Sequence, residues 1–208
     1  MLDIDGTLVE SFKFDEECYL DAVFQVLAHD MDSDWSKYEH VTDTGILDQH
    51  LKSRGLLQER EKIHRDVKDT FMSSIKKHAI NFPIREIDGA KKFLKNIQKM
   101  DNVSLSIATG GWAETARIKL KSAGFDIQGI PMASSNDHFS RTEIMKIALE
   151  KSEFKSQNKI TYFGDAEWDK KACEKLGFNF VLVGNRTTHN QNISNFKSYS
   201  QARSYIGL

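Results

Sequence analysis

Apolar and acidic positions alternate along Met1–Leu8: Leu2, Ile4 and Leu8 are apolar, Asp3 and Asp5 acidic, and Gly6 supplies a bend. A period of two fits an extended segment that turns Asp3 and Asp5 to the same side. From Phe12 to Ala28 the spacing shifts to three and four, with Tyr19, Ala22, Val23 and Val26 on one helical face. Asp30–Asp34 reads as a break, Thr42–Leu51 as a short helix and Leu56–Ala79 as a longer one. No strand pattern interrupts residues 12–80, which predicts a helical insert. Pro83 should stop the preceding helix and bias Phe82 toward an extended conformation.

Beyond Ile84 the two periods take turns. Ile87–Lys99, Gly111–Ala123, Ser140–Lys151 and Glu167–Leu176 carry helical spacing, while Val103–Ala108, Ile127–Met132, Lys159–Phe163 and Phe178–Val183 read as strands. Gly124 and Gly177 stand where helices should end, and Ser140 with Glu143 fits a capping box. The alternation predicts an α/β fold with a mainly parallel sheet covered on both faces. Ligands of such sheets bind at the carboxyl ends of the strands, where Asp3, Asp5, Thr109 and Asp165 all fall. The polar tail from Arg186 to Leu208 keeps enough apolar residues, among them Ile193 and Phe196, to dock as a loose strand or short helix. No internal repeat is present.

Charge narrows the partners. The 208 residues carry 29 Lys+Arg against 30 Asp+Glu, which offers no extended surface for a nucleic acid duplex but leaves room for a small anionic substrate. Cys18 and Cys173 are too few for a disulfide framework and lack metal-site spacing. A reducing, cytoplasmic setting is expected. No apolar run is long enough to span a membrane, and no basic region at the start suggests a secretory leader.

Two carboxylates as close as Asp3 and Asp5 repel each other and need a metal, a shared proton or a cationic neighbour. By itself Asp-x-Asp-Gly is also an ordinary turn. Three later segments change the balance: Ile107-Ala108-Thr109-Gly110-Gly111, the region around Arg141, and Tyr162-Phe163-Gly164-Asp165-Ala166-Glu167-Trp168-Asp169. With these motifs in this order the chain resembles the haloacid dehalogenase-like hydrolase superfamily over nearly its whole length.

That resemblance implies a Rossmann-like three-layer α/β/α core, residues 1–11 and 82–208, with an all-helical cap, residues 12–81, inserted after the first motif. Hinges are expected at Val9–Ser11 and Asn81–Arg85. It implies Mg²⁺-dependent hydrolysis of a small-metabolite phosphate monoester through an aspartyl-phosphate, as in phosphoglycolate phosphatase-like members. Asp3 matches the nucleophile and Asp5 the general acid and base. Thr109 matches the phosphate-binding residue, with Gly110 and Gly111 letting backbone N–H groups approach an anion. Arg141 would take the place of the usual Lys. The Mg²⁺ ligands would be the Asp3 and Asp165 carboxylates and the Asp5 backbone carbonyl, with Asp169 as a further ligand or their support.

Two departures from the family pattern open alternatives. Only Met1 and Leu2 precede Asp3, so the central strand is unusually short or a few residues are missing, and no Lys stands in the third motif. A phosphosugar mutase with the same nucleophile, or a binding protein that keeps the fold with impaired turnover, would also fit. Asp5 argues against a dehalogenase. The partner is expected to be a small phosphorylated metabolite, and the protein a monomer or homodimer. Glu10, Phe14, Glu17, Asp43, Thr44, Arg54 and Arg65 are cap residues that could face the core. His138 reads as a loop histidine.

Overall fold

The computed structural model describes residues 1–152 and 159–207. Its sheet is organised around the chain's first residues. Leu2 bridges in parallel to Ile107 on one side and to Phe163 on the other. Leu2 N–H donates to Ser106 and Asp3 N–H to Phe163, while Ala108 and Phe163 donate back to Leu2 and Met1. This segment joins β1 (Ile107–Ala108) and β2 (Met132–Ala133) to β3 (Thr161–Gly164), β4 (Asn179–Val183) and β5 (Asn192–Ile193). Every strand pair is parallel, and the order is β2-β1-(1–3)-β3-β4-β5. The predicted α/β sheet is therefore present.

Several elements are shorter than the pattern suggests. The strand expected over Val103–Ala108 is regular only at Ile107–Ala108; the Val103 N–H turns back to Met100, and Ser106 accepts the Leu2 N–H. The strand expected over Ile127–Met132 begins at Met132. The extended run expected through Asp5 ends at Asp3; Thr7 and Leu8 N–H then donate to the Ile4 carbonyl, folding residues 4–9 into a tight loop. The predicted capping box is not formed: Ser140 Oγ pairs with Thr142 Oγ1, and Glu143 with Lys146. The tail supplies both β5 and a short helix.

The helical insert consists of α1 (Phe12–Leu27), α2 (Asp43–Ser53) and α3 (Arg60–Asn81). Thr42 starts α2 by accepting the Gly45 N–H. On α3, Ile63, Val67, Phe71 and Ile75 recur every four residues and are all buried, against Tyr19, Ala22 and Val23 of α1. The sheet is covered by α4 (Ala90–Ile97), α5 (Ala113–Ser122), α6 (Arg141–Lys151) and α7 (Glu167–Leu176), with α8 (Tyr199–Ser204) in the tail. One buried cluster on the sheet centres on Leu2, Ile4, Phe93, Ile107 and Phe163, and another on Ala108, Met145, Tyr162 and Leu182. Trp112 at the start of α5 belongs to the cluster of the insert, so insert and core pack together above the carboxyl ends of the strands. Among the described residues no helix is long and apolar enough to cross a membrane.

Candidate active site

Asp3 ends its paired segment, and Thr109 and Asp165 each follow the last residue of their strand, so the sheet itself delivers them to one edge. Asp3 is 4 % exposed, Asp165 2 % and Asp169 fully buried. One carboxylate oxygen from each of the three lies within 4.8 Å of the others. Asp3 Oδ1 is buried without a hydrogen-bond partner, a costly state for a carboxylate unless a cation or ligand completes it. Burial, then the charge of Asp169, pushes the Asp3 carboxyl well above the usual carboxylate range. Burial and Asp169 likewise push Asp165 up to about 7. A nest of oxygens that resist ionisation together is what a hard divalent cation relieves.

Cations already touch the nest. Arg141 Nη1, at the start of α6, lies 2.7 Å from Asp169 Oδ1 and 3.7 Å from Asp3 Oδ1. Burial opposes its charge, but Asp169 and its other neighbours more than offset this and keep the guanidinium protonated. Arg186 Nη1, in the loop after β4, reaches Asp165 Oδ2 at 2.5 Å, and its guanidinium lies 3.3 Å over the Phe12 ring. Arg141, expected from the sequence to take the place of the usual Lys, thus lies against Asp169 and Asp3. Arg186 was not anticipated, although its place just past a strand's carboxyl end is where the edge rule points.

The loop after Asp3 fits closely. Gly6 has φ +76°, and a Cβ there would fall on the Asp165 carboxylate. Gly110 would meet the Arg141 guanidinium in the same way. Thr109 is buried, and its Oγ1 accepts the Gly111 N–H at 3.1 Å. The Asp5 carboxylate sits apart from the three-Asp nest: it accepts from Ser11 Oγ and from Lys119 Nζ, the latter at 2.6 Å. Lys119, on α5, has no solvent-exposed side-chain surface and also holds Asp15 of α1 at 2.7 Å. No reading of the sequence singled it out.

Residues of the insert form the roof of a small cavity of about 90 Å³, walled below by Asp3, Asp5, Thr109 and Arg141. Of the seven cap residues named from sequence, Asp43 alone lines it. Thr44 ties the insert down by bonding Ser135, Phe14 stacks on His78, and Glu10 pairs with Arg85 between the two segments that join the insert to the sheet. His138 accepts the Ser140 N–H within its loop, Lys146 pairs with Glu143, and Glu167 accepts from Thr187, so none of these points to the chemistry. Trp168 lines the cavity. Roof residues missed in the sequence, among them Asp15, Glu16 and Trp35, lie on helical turns whose rotation fixes only where a cap closes on its core.

Burial, and then Asp15, pushes Asp43 up to about 8; burial pushes Asp15 up to about 7, with Lys119 opposing and Asp5 adding to the rise. An unfolded Asp titrates at about 3.9, so between about pH 4 and 8 these two carboxyls bind more protons in the folded chain than in the unfolded one. Their contribution to stability must then fall as pH rises through that window. In EDTA, Tm by calorimetry should be higher at pH 6 than at pH 8.5, with a shallower slope for Asp43→Asn. A Tm that rises with pH contradicts this assignment.

Known proteins agree with the geometry. The family model described as haloacid dehalogenase-like hydrolase matches residues 1–183. No curated protein matches. Among solved structures the fold is similar to a hydrolase from Pseudomonas syringae (18 % identity, TM-score 0.71, covering 98 % of this chain and 88 % of that one). It is also similar to CbbY from Rhodobacter sphaeroides in complex with phosphate (15 %, 0.73, 100 % and 97 %). A third similar structure is a HAD hydrolase, family IA, variant 3, from Entamoeba histolytica (15 %, 0.71, 100 % and 98 %). At these identities the likeness speaks for the fold.

Proposed function

The chain belongs to the haloacid dehalogenase-like hydrolase family, and from that premise we propose that it hydrolyses the phosphate monoester of a small metabolite with Mg²⁺ as its metal. The observation that carries this reading is the orphaned Asp3 Oδ1, buried beside Arg141 and within reach of Asp165 and Asp169. The phosphate held by the similar CbbY supports a phosphoryl substrate. Residues 12–81 are taken as the cap and residues 1–11 with 82–208 as the core, hinged at 9–11 and 81–85.

Asp3 attacks phosphorus and the alkoxide departs, leaving an aspartyl-phosphate. Asp5 gives its proton to the departing oxygen, then takes one from water, which attacks the same phosphorus, releases phosphate and regenerates Asp3. Lys119 and Ser11 hold the Asp5 carboxylate in place for both transfers. Thr109 and the N–H groups of Gly110 and Gly111 cradle phosphate oxygens, and Arg141 adds fixed positive charge. Asp3, Asp165, Asp169 and the Asp5 carbonyl are the groups that would hold Mg²⁺, which when bound neutralises charge on the transferring phosphoryl group. The cap excludes water from the site.

A mutase of the same chemistry must hold a second phosphate against its cap. No Lys or Arg of the cap lines the cavity among the described residues, which favours the hydrolase. Phosphate release from a panel of monoesters, with Mg²⁺ and with EDTA, tests the proposal. Mg²⁺-dependent release is expected; an isomeric sugar phosphate without net release would point to the mutase, and no turnover with tight phosphate binding to a binding protein. Mg²⁺ should also raise Tm, since a ligand bound only by the folded chain at about ten times its Kd adds about 1.4 kcal/mol. An unchanged Tm at 10 mM Mg²⁺ would count against the three-Asp site.

A further inference from the structure

The roof of the cavity is rich in acceptors and poor in donors. Asp15 uses Oδ1 on Lys119, Glu16 uses Oε2 on the Trp35 indole N–H at 2.6 Å, and Asp43 uses Oδ2 on the Trp112 N–H at 2.7 Å. Each keeps its second oxygen without a protein partner among the described residues. The donors are committed elsewhere: Tyr19 O–H to the Asp43 carbonyl and Thr42 O–H to the Phe139 carbonyl. The cations nearby are turned to the three-Asp nest, Arg141 through Nη1 to Asp169 and Arg186 through Nη1 to Asp165.

Above about pH 8, where Asp15 and Asp43 have given up their protons, the part of a substrate that touches this roof meets carboxylate oxygens, which only accept hydrogen bonds. Alcohol hydroxyls and ammonium groups complement them. A leaving group with its own carboxylate or second phosphate would be pressed on the roof side against like charge, and in a closed site such repulsion is weakly screened. The Tyr19 and Trp35 rings, which also line the cavity, add faces that attract cations.

We infer that this site selects phosphate monoesters by the charge of the leaving alcohol, taking ammonium-bearing alcohols best, uncharged polyols next and carboxylate-bearing alcohols least. The inference rests on the phosphatase reading for its floor, yet it concerns the roof and can fail separately. The expected order is O-phosphoethanolamine, then glycerol 3-phosphate, then phosphoglycolate, with at least about tenfold in Kd between first and last.

Calorimetric titration at pH 9, where the roof carboxyls are ionised, of the Mg²⁺-loaded Asp3→Asn protein with these three esters reads the order without turnover. Phosphate release by the parent from the same esters and from p-nitrophenyl phosphate runs beside it. Glu16→Gln, which keeps an acceptor for Trp35, should narrow the gap about threefold while Tm holds. Equal binding of the three, or tightest binding of phosphoglycolate, overturns the charge preference even if p-nitrophenyl phosphate is hydrolysed. Hydrolysis of no ester overturns the phosphatase reading, while the binding order still decides the preference.

Discussion

Asp3→Asn should abolish turnover and at the same time raise the melting temperature of the metal-free protein. An amide oxygen is a poor nucleophile, and loss of a nucleophile commonly costs on the order of 10³-fold or more in kcat. Stability should move the other way. Asp3 is buried beside Asp165 and Asp169, with one oxygen unpartnered and its ionisation opposed first by burial and then by Asp169. The near-isosteric amide removes that charge and brings donors into a nest of carboxylate oxygens. A gain of about 1 kcal/mol, or roughly 2–4 °C for a chain of this size, is expected in EDTA near pH 8. The gain should vanish in Mg²⁺, which the parent uses to relieve the same repulsion. A residue with a merely structural role would lose stability on this substitution. Retained activity with a lowered Tm would therefore sink the assignment of Asp3 as a strained reactive group.

The same nest explains what could be read from the sequence. Asp3, Thr109 and Asp165 are fixed by strand ends, and a parallel sheet places strand ends together whatever the side-chain detail. Arg141 followed because a helix start near that edge has few places to point. The strand lengths were not legible, since pairing rather than composition sets them: the Val103 N–H turns back to Met100, and only from Ser106, which accepts from Leu2, does the segment join the sheet. Cap residues such as Asp15 and Glu16 were hidden for another reason. Their facing depends on how α1 seats over a loop between two hinges, which periodicity does not encode. Lys119 was legible in principle. Trp112, Thr115, Ala116 and Leu120 form the buried stripe of α5, and a lysine at position 119 lies squarely on it. A lysine on a buried stripe demands carboxylate partners, and the acidic residues able to supply them were already in view.

Replacing that lysine gives the second large effect. In Lys119→Met the hydrocarbon stem is kept and the ammonium lost. Asp5 and Asp15, each held at 2.6–2.7 Å by Lys119, would then share a buried space with no counter-charge. Breaking a buried pair from one side typically costs about 3–5 kcal/mol, and chemical denaturation at pH 8 should show a loss of that order. The loss should shrink at pH 6, because Asp15, whose carboxyl burial already pushes up to about 7, can take a proton there instead of standing as an unpaired anion. Adding Asp15→Asn to Lys119→Met should recover roughly half of the stability. Activity should not recover with it. The Asp5 carboxylate keeps Ser11 but lacks the bond that fixes it against α5, and a misplacement of about 1 Å in such a group can cost about 10²-fold in rate. Stability restored with turnover still low separates the orientation of Asp5 from the integrity of the fold. Full recovery of both in the double variant would mean that Lys119 serves only to neutralise Asp15, and a loss below about 1 kcal/mol in the single variant would mean that water already screens the trio.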